Sequence, residues 1–327
     1  MSNYKVFYTD TGMKDISIEQ RILNDAGIEL ILSSSIDEET LISEGMDCDA
    51  AIVEYAQITE NVLKAWAERG RIRCVTRQGI GFDNIDVEAA TKYGIIVSNI
   101  PDYCIDEVAD HTITLVLCAL REVKSFDVRI QNGEFEEIPL KQIHRIKGMN
   151  FCLYGFGNIA RQVAVRAQAF GFRTYTYDPF IPDELCEKFN TVKINDLHEL
   201  AEIADVMTVH APKTKSTYHS VDATVFNKMK KTCVFVNTAR GPLVDENALA
   251  DAIINNKIAA VGLDVYEVEP LPADSRLKGR SDVILTSHVA YYSEESEVEL
   301  REKCAKNSVA YIETGKPLYC VNREVLK

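Results

Sequence analysis

Phe151-Cys152-Leu153-Tyr154-Gly155-Phe156-Gly157-Asn158-Ile159-Ala160 is the stretch that decides the fold of this 327-residue chain. Its four leading apolar residues predict a buried strand, and the remainder follows the pattern G-x-G-x-x-A, which opens a helix. The first glycine forms a tight turn, the second lets the backbone approach a pyrophosphate, and the small last residue lets the helix pack on the strand. Since the N-terminus of a helix binds phosphate, the pattern predicts a dinucleotide site built by Gly155, Gly157, Asn158 and Ile159.

The end of the next predicted strand carries a carboxylate, Asp178, within Tyr177-Asp178-Pro179-Phe180. It follows the first glycine of the turn at the spacing where an acidic residue accepts both ribose hydroxyls of NAD. No Arg or Lys comes directly after it to receive a 2′-phosphate. We therefore expect NAD as the cofactor, although an isolated Asp before a proline would as easily be a surface turn residue.

Short apolar runs alternate with amphipathic segments along the chain, which predicts an α/β fold with parallel sheets. Before the glycine turn, the predicted strands are Lys5–Thr9, Glu29–Leu32, Ala50–Glu54, Arg73–Arg77 and Ile95–Ser98, with helices Ile18–Ala26, Thr59–Arg69 and Val87–Tyr93 between them. A long apolar helix, Ile105–Arg121, comes next. Six further strands are predicted at Phe151–Tyr154, Thr174–Tyr177, Asp205–His210, Cys233–Asn237, Ala259–Asp264 and Val283–Thr286, and they fit a doubly wound domain.

The last predicted helix, Glu294–Thr314, has no α/β series of its own to join. We expect it to return to the first domain. The predicted architecture is two Rossmann-like parallel-sheet domains, in which an NAD-binding domain, 102–291, is inserted in a discontinuous flavodoxin-like substrate domain formed by 1–101 and 292–327.

Composition excludes several classes of function. The formal net charge of −14 repels nucleic acid and anionic lipid, and no run of 18 apolar residues is present to span a membrane. None of the nine cysteines forms a C-x-x-C pair, which favours reduced thiols in a cytoplasmic protein over disulfides. No His/Cys/Asp cluster has metal-ligand spacing, so no metal is expected.

Three predicted strands end in an ionisable residue, at the edge of the sheet where open α/β folds bind ligands. These ends are Asn237-Thr238-Ala239-Arg240-Gly241, Asp264-Val265-Tyr266-Glu267-Val268-Glu269-Pro270 and Thr286-Ser287-His288-Val289-Ala290. Alone, such an arginine is usually a surface ion pair and such a histidine a core residue. Their combination after a dinucleotide turn favours a catalytic role.

Together these segments resemble the D-isomer-specific 2-hydroxyacid dehydrogenase family over nearly the whole chain. Arg77-Gln78-Gly79-Ile80-Gly81-Phe82-Asp83-Asn84 is similar to the family's glycine-rich substrate loop, and the three strand ends are similar to its arginine, acid and histidine motifs. One departure is Ser287, where the family usually has a proline before the histidine. Within the family, the stretch 290–295 and the ending 319–322 look most like the branch of carboxyl-terminal-binding corepressors and their enzyme relatives.

The expected chemistry explains the residue types. A 2-oxo acid needs its carboxylate held, which suits the planar, permanently charged Arg240. Its carbonyl oxygen needs a proton as hydride reaches C2, which suits the imidazole of His288. A carboxylate beside that ring favours its protonated form and orients it, a role we assign to Glu269.

The resemblance implies further contacts. It implies that backbone N–H groups of Gly79 and Ile80 bind the substrate carboxylate, that Asp264 faces the nicotinamide, and that Tyr55 and Tyr291 line the substrate pocket. Interdomain packing is an equally good interpretation of Tyr291. The full set of expected cofactor contacts is Gly155, Gly157, Asn158, Ile159, Asp178, His210, Ala211, Pro212, Thr217, Thr238, Ala239, Arg240, Asp264 and His288.

The expected function is reversible hydride transfer between NADH and C2 of a small 2-oxo acid with an aliphatic or aromatic side chain. Hydroxypyruvate or phosphoglycerate dehydrogenase is an alternative, and an NAD-sensing corepressor-like scaffold is another. We also expect a homodimer, because the helix from Ile105 is too apolar for a free surface and such helices build dimers in this family.

Overall fold

The computed structural model describes residues 4–12 and 15–326. The chain forms two compact units, Met1–Tyr103 with Ser293–Lys327 and Cys104–Tyr292. The boundaries expected from the sequence lie one or two residues earlier. We call these the first unit and the second unit.

The strands and helices follow one another along the chain as the alternating pattern predicts. The strands are β1 (Lys5–Tyr8), β2 (Glu29–Leu32), β3 (Ala50–Val53), β4 (Cys74–Arg77), β5 (Ile96–Ser98), β6 (Asn150–Tyr154), β7 (Arg173–Tyr177), β8 (Thr191–Lys193), β9 (Val206–Val209), β10 (Val234–Asn237), β11 (Ala260–Leu263) and β12 (Val283–Leu285). The helices are α1 (Ser17–Asp25), α2 (Glu38–Gly45), α3 (Glu60–Arg69), α4 (Val87–Lys92), α5 (Ile105–Leu120), α6 (Val123–Gln131), α7 (Asn158–Ala169), α8 (Asp183–Lys188), α9 (Leu197–Ile203), α10 (Ala223–Phe226), α11 (Glu246–Ile254) and α12 (Glu294–Thr314).

The first unit contains a five-stranded parallel sheet in the order β2-β1-β3-β4-β5, which is the flavodoxin-like order expected. Helix α12 packs on α1, β3 and β4 of this unit, as predicted. Its buried Asn307 donates to the hydroxyls of Thr76 and Ser98, and further along the chain Asn322 accepts from the N–H of Val97. The C-terminal segment is therefore part of the first unit.

The second unit contains a seven-stranded parallel sheet in the order β12-β11-β10-β9-β6-β7-β8. The strand order reverses between β6 and β9, so the carboxyl ends of these strands border the crevice where doubly wound sheets bind ligands. The sequence predicted six of these strands and missed β8, a three-residue strand at the edge of the sheet. In the first unit it also missed α2.

Helix α5 corrects one expectation. Its apolar residues pack against α7, β10 and β11, and Val108, Ala109, Ile113, Leu115, Val116 and Ala119 are buried within the second unit. Its hydrophobicity is thus explained without a second copy of the chain. A group of exposed apolar side chains lies instead on α6 and in the segment that follows it, where Phe135 is 85% and Ile138 is 74% exposed.

Three further observations concern the cysteines, metal ligands and membrane-spanning helices. All nine cysteines are free thiols, and seven of them are buried. Within residues 4–12 and 15–326, no group of three or more His, Cys, Asp or Glu side chains is arranged to hold a metal ion. No helix in this part of the chain combines the length and apolar character needed to cross a membrane.

Candidate active site

The glycine turn joins β6 to α7 at the point where the strand order reverses. Gly155 has φ +91°, and a Cβ at this position would lie 2.7 Å from the backbone nitrogen of Ala211, so both conformation and space require glycine. Gly157 precedes α7 and brings no side chain to cap it, and a Cβ there would meet open space. The first N–H groups of a helix lack intrahelical partners. The turn therefore offers room and donors for a phosphate.

Asp178 follows β7 and faces this turn. One carboxylate oxygen accepts from the N–H of Phe156 at 2.9 Å, and the other accepts from the N–H of Phe180 at 2.9 Å. Asp178 thus fixes the backbone of the glycine turn. Because each carboxylate oxygen has a second lone pair, the group can still accept ribose hydroxyls.

His210 follows β9, and its backbone N–H donates to the carbonyl of Tyr154. Its ring Nε2 lies 2.9 Å from the hydroxyl of Thr208. Burial lowers the pKa of His210 to about 3, so its ring is neutral at physiological pH. This excludes imidazolium chemistry there and agrees with an interpretation as part of the cofactor wall. The following loop is closed by Thr217, whose hydroxyl donates to the carbonyl of Pro212.

Arg240 is placed by a turn at the end of β10. The side chain of Asn237, which is buried, accepts from the N–H of Ala239 at 3.0 Å and donates to the carbonyl of Arg240 at 2.9 Å. The guanidinium of Arg240 donates to the carbonyl of Ala239. Sequence reasoning missed Asn237, although an amide at a strand end is a frequent signal for such a turn.

Glu269 and His288 form a hydrogen-bonded pair. Oε2 of Glu269 lies 2.7 Å from Nδ1 of His288, and Oε1 accepts from the N–H of Tyr266 at 2.9 Å. Burial raises the pKa of Glu269, but these hydrogen bonds and the nearby charge of Arg240 outweigh it and leave the pKa below its ordinary value. The carboxylate is therefore ionised, and the Nδ1–H of His288 donates to it. This leaves Nε2 of the ring to exchange a proton with a ligand.

Gly241 brings together the arginine loop, residues 238–241, and the acid loop, residues 264–270. A Cβ at Gly241 would lie 1.9 Å from the carbonyl carbon of Tyr266. Only glycine permits this approach. This packing places the turn that carries Arg240 against the loop that carries Glu269, and Glu269 is bonded to His288.

Asp264 has a structural role that the sequence did not predict. Its side chain is 1% exposed, and its oxygens accept from the hydroxyl of Thr286 at 2.6 Å and from the N–H groups of Val289 and Ala290 at 2.9 Å each. Its backbone carbonyl accepts from the N–H of His288. The carboxylate therefore holds the histidine loop, residues 286–290, and its expected contact with the nicotinamide stays a prediction.

His288 itself has φ +56°, in the left-handed region that non-glycine residues seldom adopt. The bonds from Asp264 on both sides of it account for this conformation. Tyr291 lies three residues further along in the second unit, with its ring edge-to-face against Tyr292.

The expected substrate loop of the first unit follows β4. Gly79 has φ +147°, and the Arg77 guanidinium lies where its Cβ would stand. The N–H of Gly79 donates to the carbonyl of Arg77, so it is engaged within the loop, contrary to the expectation. Among residues 4–12 and 15–326, the N–H of Ile80 has no hydrogen-bond partner. The N–H of Ile80 is therefore available to an anion.

The loop after β3 carries Tyr55, which is 61% exposed, beside Glu54, which is 7% exposed. Burial raises the pKa of Glu54, and the N–H of Gly12 donates to its carboxyl group at 2.8 Å. An aromatic surface next to a carboxyl group suits an uncharged side chain better than a phosphate.

Comparison with known proteins agrees with this geometry. Residues 113–290, which lie within the second unit, match the model of the D-isomer-specific 2-hydroxyacid dehydrogenase NAD-binding domain. The chain is 36% identical to D-3-phosphoglycerate dehydrogenase of Methanocaldococcus jannaschii over 90% of its own length and 54% of that protein. It is 33% identical to glyoxylate reductase of Korarchaeum cryptofilum, covering 89% of this chain and 87% of that protein.

A solved structure extends the similarity to the fold. D-Lactate dehydrogenase from Aquifex aeolicus, complexed with NAD and lactic acid, superimposes with a TM-score of 0.83 at 28% identity, covering 96% of this chain and 98% of that one. The chain spans about half the length of the phosphoglycerate dehydrogenases it matches.

Proposed function

The chain belongs to the D-isomer-specific 2-hydroxyacid dehydrogenase family, and from that premise we propose that it is an NAD-dependent dehydrogenase of small 2-hydroxy acids. The observation that carries the proposal is the cluster in the second unit, where Arg240, Glu269 and His288 stand at neighbouring strand ends with the Glu269 carboxylate bonded to Nδ1 of His288. This cluster combines a carboxylate anchor with a proton donor.

The cofactor fits the second unit. The uncapped N-terminus of α7 and the open space at Gly157 suit a pyrophosphate, and Asp178 suits the ribose hydroxyls of NAD. When bound, NADH supplies the hydride that reduces C2 of the substrate. Asp178 repels a 2′-phosphate, so we expect a preference for NADH over NADPH.

In the forward direction, the side chains of this chain bind the 2-oxo acid and manage one proton. Arg240 pairs with the substrate carboxylate and aligns the neighbouring carbonyl. His288 donates the proton on Nε2 to the carbonyl oxygen, while Glu269 stabilises the imidazolium before the transfer. In the reverse direction, Nε2 accepts the hydroxyl proton. In the first unit, we assign Ile80 and Tyr55 to the substrate, and Gly79 to the shape of the loop.

We propose an uncharged aliphatic or aromatic side chain for the substrate. The support is the exposed ring of Tyr55 beside the buried carboxyl group of Glu54. The names of the relatives suggest glyoxylate and phosphorylated acids as competitors. The carboxyl group of Glu54 disfavours a phosphate beside this ring, although the charge of Arg77 acts against its raised pKa.

Initial rates with NADH across glyoxylate, pyruvate, hydroxypyruvate, phenylpyruvate and 3-phosphohydroxypyruvate test both the reaction and the substrate. We expect turnover, with the highest kcat/KM for an uncharged side chain. A higher kcat/KM for the phosphorylated acid would contradict the substrate class. Tight NADH binding without turnover on any acid would contradict the enzyme and support the scaffold instead.

We propose that a second copy of the chain covers the apolar residues on and after α6. The exposed members of this patch are Val123, Val128, Ile130, Phe135, Ile138 and Leu140. So many exposed apolar side chains in one stretch of 18 residues are typical of an interface. Light scattering should give a dimer mass, and Phe135→Asp with Ile138→Asp should give a monomer. A monomeric unmutated protein would contradict this.

We further propose a cytoplasmic location, on the support of nine free thiols, since oxidising compartments favour disulfides. Cell fractionation followed by immunoblotting tests this, and recovery of the protein outside the cytoplasmic fraction would contradict it.

A further inference from the structure

We propose that His111 and Thr112, neighbours in helix α5, are positioning residues that hold the histidine loop and the arginine loop, respectively. The roles of these two loops rest on the proposed function. His111 lies 3.0 Å from the Thr286 hydroxyl, two residues before His288, and the Thr112 hydroxyl lies 2.7 Å from the Thr238 hydroxyl, two residues before Arg240. One helix thus bonds to both loops at equivalent places.

The direction of the hydrogen bonds at His111 follows from the number of protons available. Thr286 has one hydroxyl proton, and at 2.6 Å from the carboxylate of Asp264 it donates that proton there. Its oxygen must then accept from Nε2–H of His111. The result is a series of two hydrogen bonds, in which His111 donates to Thr286 and Thr286 donates to Asp264.

The last acceptor of this series is the group that shapes the histidine loop. The carboxylate of Asp264 also binds the N–H groups of Val289 and Ala290, and its carbonyl binds the N–H of His288. His288 has φ +56°, a conformation that persists only when its surroundings enforce it. Ser287 beside it is exposed and adds no rigidity of the kind a proline gives. The hydrogen bonds from His111 through Thr286 to Asp264 therefore restrain the backbone of the histidine loop, which its own sequence does not stiffen.

The single hydroxyl proton of Thr112 likewise fixes the direction of its hydrogen bonds. Its hydroxyl donates to the carbonyl of Val108, one helical turn earlier, at 2.7 Å. Its oxygen must therefore accept the proton of the Thr238 hydroxyl, which is 8% exposed. This bond fixes the turn that carries Arg240. Thr114, on the same helix, also donates to a carbonyl one turn earlier but is exposed, so it provides a matched control.

Because each residue holds a different loop, the two substitutions should have different effects. His111→Leu should lower kcat on the order of tenfold with little change in KM, because the proton donor is misplaced. Thr112→Val should mainly raise the KM of the 2-oxo acid, because the carboxylate anchor is loosened. His111→Gln keeps a donor near the position of Nε2 and should recover most of kcat. Thr114→Val should match the unmutated protein.

Amide hydrogen exchange measured by NMR tests the same assignment without any substrate. His111→Leu should accelerate exchange at Val289 and Ala290 on the order of tenfold while leaving Ala239 unchanged, and Thr112→Val should do the reverse. Equal acceleration in both loops, or none in either, would overturn the proposal. If the unmutated protein reduces no 2-oxo acid, the proposed function fails, but the exchange pattern still decides whether His111 and Thr112 position these loops.

Discussion

Nδ1 of His288 lies 2.7 Å from Oε2 of Glu269. The carboxylate stays ionised, since its hydrogen bonds and the charge of Arg240 keep its pKa below the ordinary value despite burial. Its negative charge favours a positively charged ring beside it. Reduction needs that protonated ring, whereas oxidation needs the neutral one.

Glu269→Gln should therefore move the alkaline limit of reduction to lower pH, by about one unit, because the imidazolium loses its anionic partner. The pH dependence of kcat/KM for the 2-oxo acid measures this. Glu267→Gln is the matched control, since Glu267 pairs with His219 at 2.6 Å and not with His288. An identical pH profile for Glu269→Gln and the unmutated protein would reject the role of Glu269.

His288→Asn should lose most of kcat, by about 100- to 10,000-fold, because no proton donor remains at the carbonyl oxygen. The Kd of NADH should stay within about twofold, since the glycine turn is unchanged. Stopped-flow rates and fluorescence titration give the two quantities. His198→Asn changes an exposed ring that lies 3.0 Å from the Thr224 hydroxyl, and serves as the control. A near-normal kcat for His288→Asn would mean that another group donates the proton.

Asp178→Ala should reduce the preference for NADH over NADPH, because the bonds to the ribose hydroxyls and the repulsion of a 2′-phosphate both disappear. We expect the ratio of the two kcat/KM values to fall about tenfold. Glu184→Ala, in the exposed first turn of α8, should leave the ratio unchanged. Equal kcat/KM for both cofactors in the unmutated protein would contradict the assignment of Asp178.

The stability of the first unit should depend on an ion pair between Arg301 and Glu19, whose side chains are 6% and 0% exposed. Arg301→Leu leaves a buried carboxylate without its partner and should lower the free energy of unfolding by about 3–5 kcal/mol. Urea denaturation measures this. Replacing both residues with Leu and Met should recover much of the loss, and Arg21→Ala on the surface should cost little. A loss below about 1 kcal/mol in Arg301→Leu would contradict the interpretation.

Elements with strong local signals could be predicted from the sequence. The bounds of α12 are those expected, because Ser293 caps its first turn and Gly315 ends it with φ +74°. The edge strand β8 was missed because three residues show no clear alternation. Helix α5 was recognised, but its apolar face packs within the second unit, because periodicity does not say which surface covers an apolar helix; the expected homodimer stays a prediction.

Some residues of the candidate site could also be recognised from the sequence, and others could not. Arg240, Glu269 and His288 could be chosen as candidates because each follows the end of a strand, and the hydrogen bond between Glu269 and His288 agrees with that choice, while their catalytic roles stay a prediction. The structural role of Asp264 could not be predicted, because its bonds come from residues 286–290, more than twenty positions away, and only the paired strands β11 and β12 bring them together. His111 was also missed, since a histidine within an apolar helix usually has no catalytic function.

The most direct test of the account is the preference for a 2-oxo acid over the matched ketone without the carboxylate, such as phenylpyruvate against phenylacetone and pyruvate against acetone. If Arg240 pairs with the carboxylate as proposed, the unmutated protein should reduce only the acids efficiently with NADH. Arg240→Lys should raise KM and lower kcat, because lysine lacks the planar fork. Arg240→Gln should remove most of the preference while NADH binding persists. Reduction of the ketones as fast as the acids, or an unchanged KM for the acid in Arg240→Gln, would contradict the assignment of this chain as a 2-hydroxyacid dehydrogenase.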